Sequence, residues 1–294
     1  MSVQGIKEAL MSQETVKPYP VFVMCGRDAT RRKMMVALDP EGQYPSKALL
    51  PFLGKRLIEW QLEALAQSPY VGQIYLLGLA REDIDLDLPV EFIPVRMTAD
   101  VSEKFGVGLD YLEARGEPPE MIVISSCDAP GVRTAQVNQF FAALSDQPGS
   151  DFVLSLVPED VMEVAFPSSG RVVGRFRDYK VIPGELYALS PRMIRLQQAV
   201  IAELNQRRRR INRQKKRIGM APMLQYLAKK PQTWALLLKY GLGLATLADG
   251  EKALGKSFDC HIRTIIIPEA GFGMDMDLPG DYERLETFMS QAQV

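Results

Sequence analysis

With 294 residues, 35 Lys or Arg against 36 Asp or Glu, and a formal net charge of −1, the chain can bury one large core or two modest ones. It has no bulk charge to suit nucleic acid, and none is expected as a partner. Cys25, Cys127 and Cys260 stand far apart without a CxxC pair, and His261 is the only histidine, which excludes a structural zinc site and a disulfide framework.

No basic-then-apolar leader opens the sequence. Its greasiest stretch, residues 234–248, is interrupted by Lys239 and too short to span a bilayer, so a cytoplasmic protein is expected. Residues 1–19 read as a polar lead-in, and residues 20–191 as an α/β core. Pro20–Met24 predicts a first buried strand that runs into Cys25-Gly26-Arg27-Asp28, a basic connection through Arg31, Arg32 and Lys33, and a turn at Asp39–Gly42. Lys47 opens a new element, followed by a helix with apolar positions at Leu57, Ile58, Leu62 and Leu65. Gln73–Gly78 and Val90–Val95 read as strands, and Val101–Arg115 as a helix.

Met121–Ile124 is a continuous apolar run, rich in β-branched side chains, closed by Ser125-Ser126-Cys127-Asp128-Ala129-Pro130. This predicts a buried parallel strand with Asp128 at its carboxyl end, where open α/β sheets place their ligands. A helix at Thr134–Leu144 and a strand at Asp151–Val157 follow, then an alternating exposed stretch, Arg171–Tyr179, and a strand from Gly184 that enters a helix. Residues 192–256 lose the strand pattern and read as a helical insertion. Residues 257–294 return to the core with a strand, Thr264–Pro268, and a closing helix, Tyr282–Gln293. Strand and helix alternating at this spacing predict a three-layer α/β/α fold with a mostly parallel, doubly wound sheet.

Three features converge on phosphate chemistry. Met24, Cys25 and Gly26 end the first strand, where a glycine lets backbone N–H groups approach phosphate oxygens, and Arg27, Arg31 or Arg32 can add charge-assisted bonds. Lys47 can reach a polyphosphate as a point charge. Asp128 and the Asp275/Asp277 pair, brought to one rim, would make a carboxylate site for Mg²⁺ with room for phosphate oxygens.

The Met24–Arg27 loop, the run Ser46-Lys47-Ala48-Leu49-Leu50-Pro51-Phe52-Leu53-Gly54-Lys55, the Asp128-Ala129-Pro130 strand end and Asp275-Met276-Asp277-Leu278-Pro279-Gly280-Asp281 together resemble the nucleotidyltransferases that include molybdenum cofactor guanylyltransferase. The resemblance covers residues 20–190 and 262–290. It implies a GT-A-like nucleotidyltransferase fold and Mg²⁺-dependent transfer of an NMP from an NTP to a phosphorylated or hydroxyl acceptor, with release of pyrophosphate. It casts Arg27, Lys47 and Asp128 as catalytic, with Asp128 and Asp277 as metal ligands and Asp275 the alternative to Asp277. Cys25 stands where the family has a second glycine, and Glu185 where sugar-nucleotide members carry Asn. Lys180 or Arg177 is a candidate contact for the acceptor phosphate or the α-phosphate.

A glycosyltransferase of the related fold ranks lower, because Cys127-Asp128-Ala129 lacks the first Asp of an Asp-x-Asp. A non-catalytic nucleotide-binding homologue is the third reading, with Cys25 as its support. The basic run Arg207–Arg217 reads first as a solvated helical face; a polyanionic acceptor or peripheral membrane contact through residues 207–240 comes second. The apolar stripe after it suits a helical core or a homodimer contact.

Overall fold

The computed structural model describes residues 18–26, 33–116, 119–195 and 228–291. Arg27, Arg31, Arg32 and the basic run Arg207–Arg217 lie outside the described residues. In chain order the elements are β1 (Tyr19–Met24), α1 (Lys33–Leu38), the two-residue strands β2 (Pro51–Phe52) and β3 (Lys55–Arg56), α2 (Leu57–Ala66), β4 (Val71–Leu77), β5 (Val90–Ile93), α3 (Val101–Ala114) and β6 (Ile122–Ser125). There follow α4 (Thr134–Ser145), β7 (Phe152–Pro158), α5 (Glu159–Ala165), β8 (Gly174–Arg175), β9 (Lys180–Leu189), α6 (Trp234–Gly241), α7 (Leu247–Phe258), β10 (Ile262–Ile266) and α8 (Asp281–Gln291). Among the described residues no helix is long and apolar enough to cross a membrane.

The main sheet runs β10-β7-β9-β6-β1-β4-β5, with β8 paired to β9. The period-two alternation of its strands divides the core into two layers. Val21 and Val23 of β1, Ile74 and Leu76 of β4, and Val123 of β6 pack against α2, α4 and α8. Phe22, Tyr75, Leu77, Ile122 and Ile124 point the other way, against Phe105, Leu109 and Leu112 of α3 and Phe258 of α7. A sheet buried on both faces needs apolar residues on both, which is why β1 and β6 read as continuous greasy runs. The outcome is the expected three-layer α/β fold.

The ladders β1–β4, β4–β5, β1–β6 and β7–β10 are parallel. The sheet is nonetheless mixed, because β9 lies antiparallel between β6 and β7. From β7 the chain returns through the short α5 and the β8–β9 hairpin instead of a full crossover helix, so it re-enters the sheet in the opposite direction. The alternating Arg171–Tyr179 stretch forms only the two-residue β8, whereas β9 begins at Lys180, ahead of the predicted Gly184.

The excursion between β9 and β10 leaves and returns beside one residue. Leu189 and Ile262 are both paired with Phe152 of β7. Asp151 clamps the two crossings: its carboxylate accepts from the Ser190 hydroxyl (3.0 Å), the Arg192 guanidinium (3.0 Å) and the His261 backbone N–H (2.9 Å). Burial pushes the Asp151 carboxyl up, but these bonds outweigh it and hold it below its ordinary value. Replacing Asp151 with Ala should lower stability by about 2–3 kcal/mol near pH 7, the scale of lost hydrogen bonds to a charged group. A depressed carboxylate stabilises above its unfolded pKa and loses that contribution on acidification. The gap in urea midpoints between Asp151→Ala and the native chain should therefore narrow as pH falls through the ordinary carboxylate range; a gap constant with pH would refute the clamp.

Candidate active site

Strands β4 and β5 lie on one side of β1 and β6 on the other, so the chain order reverses between β1 and β6. The carboxyl ends of these two parallel strands diverge there, leaving a crevice. Cys25-Gly26 closes β1, and Asp128 stands three residues past β6. Gln61 of α2, fully buried, fastens the second loop. Its amide donates to the Ser125 hydroxyl (2.6 Å), and its carbonyl accepts from the Ala129 backbone N–H (3.3 Å) and the Ser126 hydroxyl (3.4 Å).

The closing Asp275–Asp281 segment comes to the same crevice. The Met276 backbone N–H donates to the Asp128 carbonyl (3.0 Å), laying the two loops side by side. Asp128, Asp275 and Asp277 each offer a carboxylate oxygen, all within 4.8 Å of one another. The Lys47 ammonium sits among them, ion-paired to Asp128 and, at 2.8 Å, to Asp277, with the Met276 carbonyl at 3.4 Å. On the far side the Arg171 guanidinium pairs with Asp275 (2.5 Å) and with fully buried Asp281 (2.9 Å). Asp281 in turn accepts the backbone N–H groups of Asp277 (3.1 Å) and Leu278 (2.8 Å), which sets the turn that presents Asp277.

Electrostatic strain is written into this cluster. Burial, then the carboxylates of Asp277 and Asp128, push Asp275 up to about 7, against the pull of Arg171 and Lys47. Burial, then Asp275 and Asp128, likewise hold Glu185 of β9 well above its usual value. Burial alone would lower Lys47, yet Asp128, Asp277 and Asp275 raise it well above the ordinary lysine range. Among the described residues, five carboxyl groups (Asp128, Asp275, Asp277, Asp281 and Glu185) thus gather around Lys47 and Arg171, with Arg284 on the outer side of Asp281. The deficit of positive charge and the all-oxygen donor set fit a hard divalent cation such as Mg²⁺.

The opening turn is built for close approach. Gly26 has φ +150°, and a Cβ there would lie 2.4 Å from the Lys104 amino nitrogen and 2.5 Å from the Met97 carbonyl. Lys104, buried on α3, donates to the carbonyls of Cys25 and Met97 and so props the turn from beneath. The Ser46 hydroxyl donates to the Gly26 carbonyl (2.7 Å), tying the Lys47 element to the same turn. Cys25 points away from the crevice, into the apolar layer with Cys127 and Val23. Burial first, then Cys127, raises its thiol well above the ordinary value.

Of the residues singled out in the sequence, Cys25, Gly26, Lys47, Asp128, Asp275 and Asp277 meet here, and Met24 leads into the turn as the last residue of β1. Arg27 and Arg31 lie outside the described residues. Arg177 and Lys180 are exposed on the β8–β9 hairpin, and the guanidinium beside Asp275 is that of Arg171. Sequence reasoning passed over Arg171, Gln61 and Lys104. Gln61 and Lys104 left a faint signal, a polar residue on the buried face of an otherwise apolar helix.

A carboxyl with a raised pKa favours the folded state while protonated, and that contribution is lost as pH rises through the folded pKa. In chelator at pH 8, Asp275→Asn should therefore melt above the native chain, by on the order of 2–4 °C for each kcal/mol relieved. The difference should shrink toward pH 6. Added MgCl₂ should raise the native melting temperature and leave the variant's unchanged. Identical melting of both proteins at pH 8 would contradict the strain described.

A comparison with curated proteins gives no match. Among solved structures, the fold is similar to a hypothetical transferase from Thermus thermophilus, with TM-score 0.68, 21% identity and coverage of 90% of this chain and 99% of that one. It is also similar to CMP:2-keto-3-deoxy-manno-octonic acid synthetase complexed with CTP (TM-score 0.51, 15% identity, 94% and 99% covered). A third likeness is to 4-diphosphocytidyl-2C-methyl-D-erythritol synthase from Anaerococcus prevotii (TM-score 0.50, 12% identity, 93% and 99% covered). The MobA-like NTP transferase domain model matches residues 16–217, well over half of the sequence, and the chain belongs to that family.

Proposed function

We propose that the protein is a Mg²⁺-dependent nucleotidyltransferase that moves an NMP from an NTP to a small-molecule acceptor and releases pyrophosphate. The observation that carries this reading is the meeting of Asp128, Asp275 and Asp277 around Lys47, beside the Gly26 turn, at the reversal point of the sheet. An NTP donor is in keeping with the family and with the fold shared with a synthetase complexed with CTP.

In this reading the Gly26 turn offers backbone N–H groups to the triphosphate, and Arg27 and Arg31 contribute guanidinium groups. Lys47 exchanges part of its carboxylate contacts for phosphate oxygens and stabilises charge building on the departing pyrophosphate. Asp128, Asp277 and Asp275 would hold Mg²⁺, which when bound supplies charge neutralisation at the phosphate oxygens. An acceptor oxygen attacks the α-phosphorus, a new P–O bond forms, and the bond to the β-phosphate oxygen breaks. Arg171, ahead of β8, and Glu185 of β9 border the acids. A phosphorylated acceptor would be met by Arg171, and a hydroxyl acceptor by Glu185 as hydrogen-bond partner.

Asp128→Ala should abolish Mg²⁺-dependent pyrophosphate release, by at least about a hundredfold if the residue stabilises transition-state charge, with the far-UV spectrum and cooperative melting retained. A thermal-shift screen of the four NTPs with Mg²⁺ supplies the donor for that assay. Undiminished pyrophosphate release by the variant would sink the assignment.

A further inference from the structure

The proposed reaction gives no work to the charge of Lys104, which is buried on α3 at the junction of three chain segments. Cys25 extends the β1–β4 ladder by one bond, its N–H donating to the Leu77 carbonyl (2.9 Å). In a parallel ladder the N–H and C=O of one residue face the same neighbour. The Cys25 carbonyl therefore also faces β4, where a continued strand would meet it with the Leu79 N–H. The chain turns instead at Gly78, with φ +101°, and the Lys104 ammonium donates to the Cys25 carbonyl. Position 78 has to be glycine, since a Cβ there would press on that carbonyl and lie 2.8 Å from the Lys104 nitrogen. Lys104 also reaches the Met97 carbonyl (3.4 Å), in the loop ahead of α3. Packing alone would be served by an apolar side chain, which avoids the cost of burying an ammonium.

The consequence is carried by a single peptide plane. Among the described residues no peptide bond is cis, and across a trans peptide the C=O and N–H point in opposite directions. Holding the Cys25 carbonyl toward β4 therefore turns the Gly26 N–H toward β6, the side on which the crevice and Asp128 lie. A cation on the carbonyl also polarises the peptide and makes its N–H a stronger donor. We propose that Lys104 is a positioning residue for the donor nucleotide, aiming and polarising the Gly26 N–H toward a phosphate oxygen. This rests on the triphosphate binding at the Gly26 turn proposed above. It adds that a side chain behind the turn, acting only through the peptide, sets part of the affinity for the triphosphate.

The test is titration calorimetry of the full chain with each of the four NTPs and with inorganic pyrophosphate, all with Mg²⁺. Native chain, Lys104→Met and Lys104→Gln are compared. The native chain is expected to bind pyrophosphate and at least one NTP. Lys104→Met should weaken both by at least about tenfold, the scale of a hydrogen bond to a charged group, at unchanged stoichiometry. A merely structural role would move the other quantity, because a misfolded fraction lowers the stoichiometry and leaves Kd alone. Lys104→Gln keeps an N–H donor and loses the charge, so its affinity should fall between the two. In the native chain the Gly26 amide proton should move downfield as pyrophosphate is added, a readout that needs no variant to fold. The inference fails if that resonance stays in place while the native chain binds pyrophosphate. It fails equally if either variant binds NTP as tightly as the native chain does. A native chain that binds none of the NTPs would remove the proposed reaction as well.

Discussion

Three carboxylates within 4.8 Å of one another repel, and the rest of the structure is arranged to hold them there. The bond from Met276 N–H to the Asp128 carbonyl joins two loops separated by about half the chain. Asp281, fully buried, fixes the turn beneath Asp277, and Arg171 is shared between Asp281 and Asp275. Lys47 fills the centre. Each of these groups lowers the cost of assembly, and none removes it, since Asp275 is still pushed up to about 7. A site left short of positive charge in this way could hold a divalent cation, at some expense of stability without one.

The opening turn obeys a different constraint, which is space. Gly26 cannot accept a side chain while Lys104 and the Met97 carbonyl lie under it. Position 25 has no such limit. Its side chain turns into the layer shared by Val23 and Cys127, so Cys25 in place of a family glycine fills core and leaves the crevice side of the turn open.

Much of this was legible in the sequence because the signals are local. Continuous apolar strands, helical spacing at Leu57–Leu65 and a carboxylate at a strand end all follow from short-range chemistry. What stayed hidden depends on distant partners. Arg171 sits in a stretch that reads as an exposed strand, and its role appears only when Asp275 and Asp281 arrive from more than a hundred positions away. Gln61 looks like a flaw in an apolar helix face until the Ser125–Ala129 loop supplies its partners. The reversed direction of β9 was equally invisible, since side-chain alternation is the same for parallel and antiparallel neighbours.

The same topology explains how one chain can carry a strained acidic crevice and a basic, greasy segment together. The stretch from Ser190 to His261 begins and ends beside Phe152, where Asp151 binds both crossings. Closing a loop between two adjacent points costs entropy that grows only with the logarithm of its length. The segment can therefore be long without moving β10, which leads on to Asp275 and Asp277, while its α7 end is bound to the sheet through buried Phe258 and the Thr264–Glu251 bond. Charge along the segment differs in sign from the balance of the whole sequence, with eleven Lys or Arg and no Asp or Glu between Leu204 and Ala248.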